Sequence, residues 1–174
     1  MVRRMVDRFE QYHRWSDRKK QMSTVSEPIA PGLERFFDSD LAQEVQFLAA
    51  RARARGSAHA NAQLQDLGIK VRQYSVLSLA ASGLNPSQRE LGVFLGLDPS
   101  QVVALVDQLQ NDGLVERQTD PNDRRSKIVI TTDDGQKLYQ QAHEIVTASS
   151  DVTLGTLSPR ERKQLRDLLM KVAF

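Results

Sequence analysis

Three cations fall in one short stretch: Arg124, Arg125 and Lys127, in or just after the turn-rich loop Asp120-Pro121-Asn122-Asp123-Arg124-Arg125-Ser126. A guanidinium at the tip of such a loop can meet phosphate oxygens or enter a narrow minor groove, where negative potential is concentrated. Upstream lies a second set whose types suit base edges. On a helix starting at Pro99, the residues Ser100, Gln101, Ala104, Asp107, Gln108 and Asn111 share the face opposite Val102, Leu105, Val106 and Leu109. Amides can pair in bidentate fashion with adenine, an alanine methyl can touch a thymine methyl, and a serine hydroxyl donates or accepts. This face has no Lys or Arg. Phosphate anchoring therefore falls to the loop cations with Ser126, to Ser87 and Arg89 near the start of the preceding helix, and to backbone amides at helix N-termini. Each set also has a plainer reading: a solvated helix face, and a polar turn whose aspartates pair with its arginines.

Other chemistries are poorly served. Cysteine is absent, which removes disulfides and thiolate metal sites, and His13, His59 and His143 are too scattered to form a ligand pair at helical spacing. Neither a metal nor a cofactor is expected. No nucleophile, base and orienting acid cluster in the sequence, and Gly92-Val93-Phe94-Leu95-Gly96 reads as helix rather than a phosphate-cradling loop, so the chain is not expected to be an enzyme. No apolar run approaches the roughly 18 residues a membrane helix needs, and no hydrophobic signal core follows the N-terminal arginines. A cytoplasmic protein without a membrane partner is the expectation. The formal charge of +2 hides an asymmetry: residues 1–22 carry seven Lys/Arg and three Asp/Glu, leaving 17 against 19 for the rest. Any contact with nucleic acid must come from local cationic clusters rather than a globally basic surface.

These residues need elements to hold them. The loop is flanked by two β-prone runs, Leu114-Val115-Glu116-Arg117 and Ile128-Val129-Ile130-Thr131, which predict a hairpin. Before it, Asn85-Pro86-Ser87-Gln88 and Asp98-Pro99-Ser100-Gln101 repeat one capping pattern, with Asn or Asp as N-cap and Pro at the first helical position. Helices over 86–95 and 99–112 follow, stopped by Gly96 and Gly113, with a turn between them of the length a helix-turn-helix requires. A further helix over 70–82 has Val71, Tyr74, Leu77 and Ala81 inward. A long one is expected over 40–66, after a helical turn at 33–37, with Leu41, Val45, Leu48, Ala52, Ala60, Leu64 and Leu67 on its apolar side. Thr132 caps a helix reaching about 151, and Ser158-Pro159-Arg160-Glu161 opens a last one. The terminal helices have apolar faces with little sequence of their own to cover them, which points to a homodimer. Residues 1–32 read as a basic amphipathic segment and a Pro-containing linker. Residues 1–21 are an accessory helix, a poorly ordered extension, or an over-long start assignment with Met22 the true initiator.

The motifs Asp98-Pro99-Ser100-Gln101-Val102-Val103-Ala104-Leu105-Val106-Asp107-Gln108-Leu109, Gly113-Leu114-Val115-Glu116-Arg117, Asp120 to Ser126 and Ile130-Thr131 together resemble the multiple-antibiotic-resistance regulator (MarR) family. The helical order extends the resemblance over about 40–173. It implies a mainly α fold with a small β-hairpin wing: a winged helix-turn-helix head over about 70–131 within a domain spanning 33–174. Dimerisation helices would lie at about 40–67 and 132–173. A homodimer binding a palindromic operator in double-stranded DNA, and repressing nearby genes, is what such a relationship implies. By position, Arg125 resembles the wing arginine that enters the minor groove, with Asp123 orienting the loop. Asp107 resembles a recognition-helix carboxylate that pairs with that arginine when DNA is absent. Ala104 and Gln108 stand where many relatives carry basic residues, which shifts anchoring toward the wing.

The family also implies a small aromatic or phenolic acid effector in a cleft between dimerisation helices and head, where Phe47, Arg51 and Tyr74 are the candidates. A different reading remains beside it: a winged-helix module that binds protein through the same surfaces and does not bind DNA.

Overall fold

The computed structural model describes residues 31–174. The helix predicted over 2–21 lies outside them. Two units divide the chain: one of residues up to Ala52 together with Ser150–Phe174, the other of Arg53–Ser149. The unit boundaries fall within two helices, α1 (Val45–Leu64) and α5 (Asp133–Thr153).

The Arg53–Ser149 unit holds the rest of the head: α2 (Val71–Ala80), α3 (Gln88–Leu95), α4 (Pro99–Asn111) and the antiparallel strands β1 (Val115–Thr119) and β2 (Lys127–Thr131). Its core gathers Val76, Leu77 and Ala80 of α2, Leu91 of α3, Val102, Val106 and Leu109 of α4, Val115 of β1 and Val129 of β2, all buried. Each of these Val and Leu side chains contributes roughly 1.5–3 kcal/mol by leaving water, so every element of the head is tied to one apolar centre. A second cluster joins Leu64, Ile69 and Ala142, with Val71, Tyr74, Leu138 and Ile145 packed around it.

Local signals explain the starts and stops. At α4, Asp98 and Gln101 form the expected capping box, with Pro99 in the first turn. At α3 the start differs from the expectation at Pro86. Ser87 is the N-cap: its Oγ accepts from the Glu90 N–H at 3.3 Å, while Glu90 Oε2 accepts the Ser87 N–H at 2.7 Å. The Ser-x-x-Glu box satisfies two free donors at once and outcompetes Asn85-Pro86. Asn85 instead takes a left-handed turn (φ 51°), and the Pro86 carbonyl accepts from Val129 N–H at 2.8 Å. Ser87 also bridges to Ile128, adding a short third edge to the hairpin.

Two further expectations shift. The helix placed at 40–66 begins as a separate 3-10 turn, Asp40–Gln43, capped by Ser39; Glu44 is extended, and α1 starts only at Val45. On α2 the fully buried positions are Gln73, Val76, Leu77 and Ala80, whereas Val71, Tyr74 and Ala81 are half-buried. Val71 and Tyr74 face the second cluster, so this helix packs on two sides rather than one stripe.

The other unit consists of the described residues 31–52 and 150–174, with two 3-10 turns, the start of α1, the end of α5 and α6 (Pro159–Ala173). Ser158 and Glu161 cap α6, and Arg162 holds the preceding turn through Asp151 Oδ1 (2.6 Å) and the Leu154 and Leu157 carbonyls (3.1 Å each). None of its described residues is buried. Leu41, Val45 and Leu48, on the apolar side expected to need a partner, are 51%, 77% and 48% exposed, and Leu168, Leu169, Met170 and Val172 are exposed as well. No described helix is long and apolar enough to cross a membrane.

Candidate nucleic-acid interface

Helices α3 and α4 meet through a tight turn in which Gly96 adopts φ 62° and the Leu97 N–H donates to the Gly92 carbonyl at 2.9 Å. Gly92 leaves no slack, since an added Cβ would sit 3.3 Å from the Leu97 carbonyl oxygen. The turn sets the crossing of the two helices and leaves one long face of α4 outward. Ser100, Ala104, Asp107, Gln108 and Asn111 are exposed on it, while Val102, Val106 and Leu109 are buried. Gln101 is half-buried and spends its Oε1 on the Asp98 N–H at 3.2 Å, so its amide is partly committed to the cap.

The wing is ordered by its own acceptors. Asp120 N–H donates to the Ser126 carbonyl (3.1 Å) and Ser126 N–H to the Asp123 carbonyl (2.8 Å), closing the loop across the strand ends. Asp123 Oδ1 accepts from the Arg125 N–H at 3.1 Å and lies 3.4 Å from Arg125 Nε. The Arg125 side chain is 94% exposed. An ion pair that open to water is worth at most about 1 kcal/mol and is readily exchanged for a phosphate. Arg124 is exposed and has no polar partner among the described residues. Lys127 reaches across the strand pair to Thr119 Oγ1 at 2.8 Å.

Asp107 does not pair with Arg125. Its partner is Arg117 on β1, at 2.5 Å from Nη2 to Oδ1. The same guanidinium donates through Nη1 to Gln110 Oε1 (2.8 Å) and through Nε to Gln88 Oε1 (2.7 Å). Arg117 is the middle residue of β1, paired with Val129 and within reach of both helices, whereas Arg125 is held at the tip by Asp123. A signal for this existed: alternation from buried Val115 puts Arg117 on the inward side of the strand, where a cation needs acceptors.

At the start of α3, Ser87 is half-buried and its hydroxyl is shared with Glu90 (Oγ to Oε2 2.7 Å), which leaves it less open to a phosphate than its sequence position suggested. The two hydrogen bonds from Ser87 lower the Glu90 pKa below its ordinary 4.5. Arg89 is exposed on the first turn without a polar partner among the described residues.

Of the three effector candidates, Phe47 and Arg51 belong to one unit and Tyr74 to the other. Tyr74 stacks on Tyr139 (centroids 6.2 Å apart, interplanar angle 18°), and its hydroxyl lies 2.9 Å from His143 Nδ1. Burial raises the Tyr74 pKa, so the phenol stays protonated at neutral pH. Tyr139 was not singled out from the sequence and His143 entered only as an isolated histidine, although their spacing of four on one helix places them side by side. Among the described residues no group of three His, Asp or Glu side chains is arranged to hold a metal.

Two stacked helices and a cationic hairpin packed on a common core define a winged helix-turn-helix protein. Comparison with protein families matches residues 67–126 to the MarR family. A MarR-family transcriptional regulator from Rhodococcus sp. RHA1 superposes with a TM-score of 0.72 at 35% identity, covering 79% of this chain and 98% of that one. CouR from Rhodococcus jostii RHA1, in a structure bound to p-coumaroyl-CoA, gives a TM-score of 0.71 at 38% identity, covering 79% and 96%. The HTH-type transcriptional regulator BilQ of Clostridium symbiosum is 35% identical over 86 residues, 49% of this chain. The chain spans 60 to 63% of the length of the curated relatives it matches. The chain belongs to the MarR family.

Proposed function

We propose that the chain is a homodimeric, sequence-specific DNA-binding regulator that represses transcription and is released by a small aromatic acid or its thioester. The observation that carries this reading is the outward face of α4, with amide, hydroxyl and methyl groups, beside a wing whose arginines stand in solvent. In the proposed complex α4 lies in the major groove, where Ser100, Ala104 and Gln108, with the uncommitted amino group of Gln101, meet base edges. Arg125 enters the minor groove and Arg124, Lys127 and Ser126 contact phosphates, with Arg89 adding a contact from α3.

The dimer rests on the exposed apolar residues of the unit that has no buried core among its described residues. Leu168, Leu169 and Met170 on α6, with Leu41 and Leu48, offer the kind of surface a partner copy covers. The effector class is supported by the ligand of the CouR structure and by the stacked rings of Tyr74 and Tyr139 in this chain, which suit a planar aromatic group.

Selection of bound duplexes from a random pool tests the reading. A palindromic consensus is expected, with binding weakened by aromatic acids added one at a time. Retention of no duplex at low salt would contradict it and leave the protein-binding module as the reading to pursue.

A further inference from the structure

Arg117 sits where β1 meets the two helices of the reader, and its side chain is 23% exposed. A guanidinium has donors only, so the oxygens of Gln88 and Gln110 must face it, at 2.7 and 2.8 Å. Each amide is thereby turned with its N–H2 group away from Arg117, and neither N–H2 group has another polar partner among the described residues. Gln88 is the first residue of α3 and Gln110 lies in the last turn of α4. The third acceptor, Asp107, is the only charged residue of α4, and its side chain is 54% exposed on the outward face. Left alone, that carboxylate would face the polyanion.

We infer that Arg117 is a positioning residue for DNA binding: it neutralises Asp107 and turns Gln88 and Gln110 into outward donors, keeping the α4 face usable. It touches no DNA itself. The inference rests on the DNA-binding reading above and adds a role that the wing arginines do not have. A direct cation would raise affinity for any duplex through counterion release. A positioning residue acts through Asp107, so its effect disappears when that charge is removed.

The test is a double-mutant cycle on the full chain, read by fluorescence anisotropy with the selected duplex and a random duplex of equal length. Arg117→Gln is expected to weaken the selected duplex about tenfold or more. In an Asp107→Asn background the same change should cost no more than about threefold, because no carboxylate is left unpaired. Equal losses in both backgrounds would overturn the inference, since the effect of Arg117 would then not run through the charge at 107. Should Arg117→Gln not fold, Arg117→Lys enters the same cycle. It keeps the charge but cannot serve three acceptors, and a loss that is smaller yet still dependent on Asp107 is expected; an additive one overturns the inference. If the parent protein holds neither duplex, the DNA-binding reading and this inference fall together. Binding by the parent with an additive cycle removes this inference alone.

Discussion

Arg125 at the tip of the hairpin and Arg117 in the middle of β1 stand in opposite surroundings. At the tip, Arg125 is almost wholly in water and held by one weak pair, so little opposes its transfer to DNA. In the middle of β1, Arg117 is fixed by three acceptors from two helices. The tip was legible in the sequence because turn residues and adjacent arginines are local signals. Strand alternation marked Arg117 as inward but not its partners, because those acceptors lie 7, 10 and 29 residues away along the chain. Glu90 is another residue whose role is set by its neighbours. Its carboxylate is stabilised by Ser87, so its folded pKa lies below 4.5. A depressed carboxylate contributes stability that is present above its unfolded pKa and lost as pH falls through the folded value. Melting temperatures stepped downward from about pH 5 should therefore fall more steeply in the parent than in Glu90→Gln. Parallel curves would contradict the capping role.

At the level of elements, α4, the hairpin and α6 were read with the right bounds to within a residue or two. Each has a local marker: Asp98-Pro99, the turn loop, and Ser158-Pro159. The starts of α1 and α3 differ from expectation, and at α3 two signals compete. At α3 the capping box at Ser87 outcompeted Pro86, whose carbonyl was drawn into the wing by Val129. The junction of wing and α5 depends on a contact that no motif announces. Thr132 Oγ1 accepts from the Gly135 N–H (3.0 Å) and donates to the Gly113 carbonyl (2.7 Å), while Thr132 N–H meets the Leu114 carbonyl at 3.2 Å. Helix α5 thus starts pressed against the end of the turn after α4. A Cβ on Gly135 would overlap the Leu114 carbonyl, which is backbone and cannot swing aside. Gly135→Ala should cost about 1–3 kcal/mol or more, read as a lower urea midpoint. An unchanged midpoint would show that this junction is looser than described.

Across the whole molecule, one unit has an apolar core and the other has none among its described residues. The sequence anticipated this as uncovered helix faces, and the partner copy proposed to cover them would lie outside a single chain. Where an effector would bind is likewise beyond what spacing reveals, because Phe47 and Arg51 belong to one unit and Tyr74 to the other. In the proposed complex α4 contributes no cation, so the hairpin would supply much of the electrostatic grip on DNA. The direct measurement is the affinity for the selected duplex across a series of salt concentrations, for the parent protein and for Arg125→Ala. Removing this arginine should cost on the order of 1–3 kcal/mol and flatten the slope of log K against log salt by about 0.9 for each phosphate the side chain neutralises. Equal affinity and an identical slope in the two proteins would contradict the account.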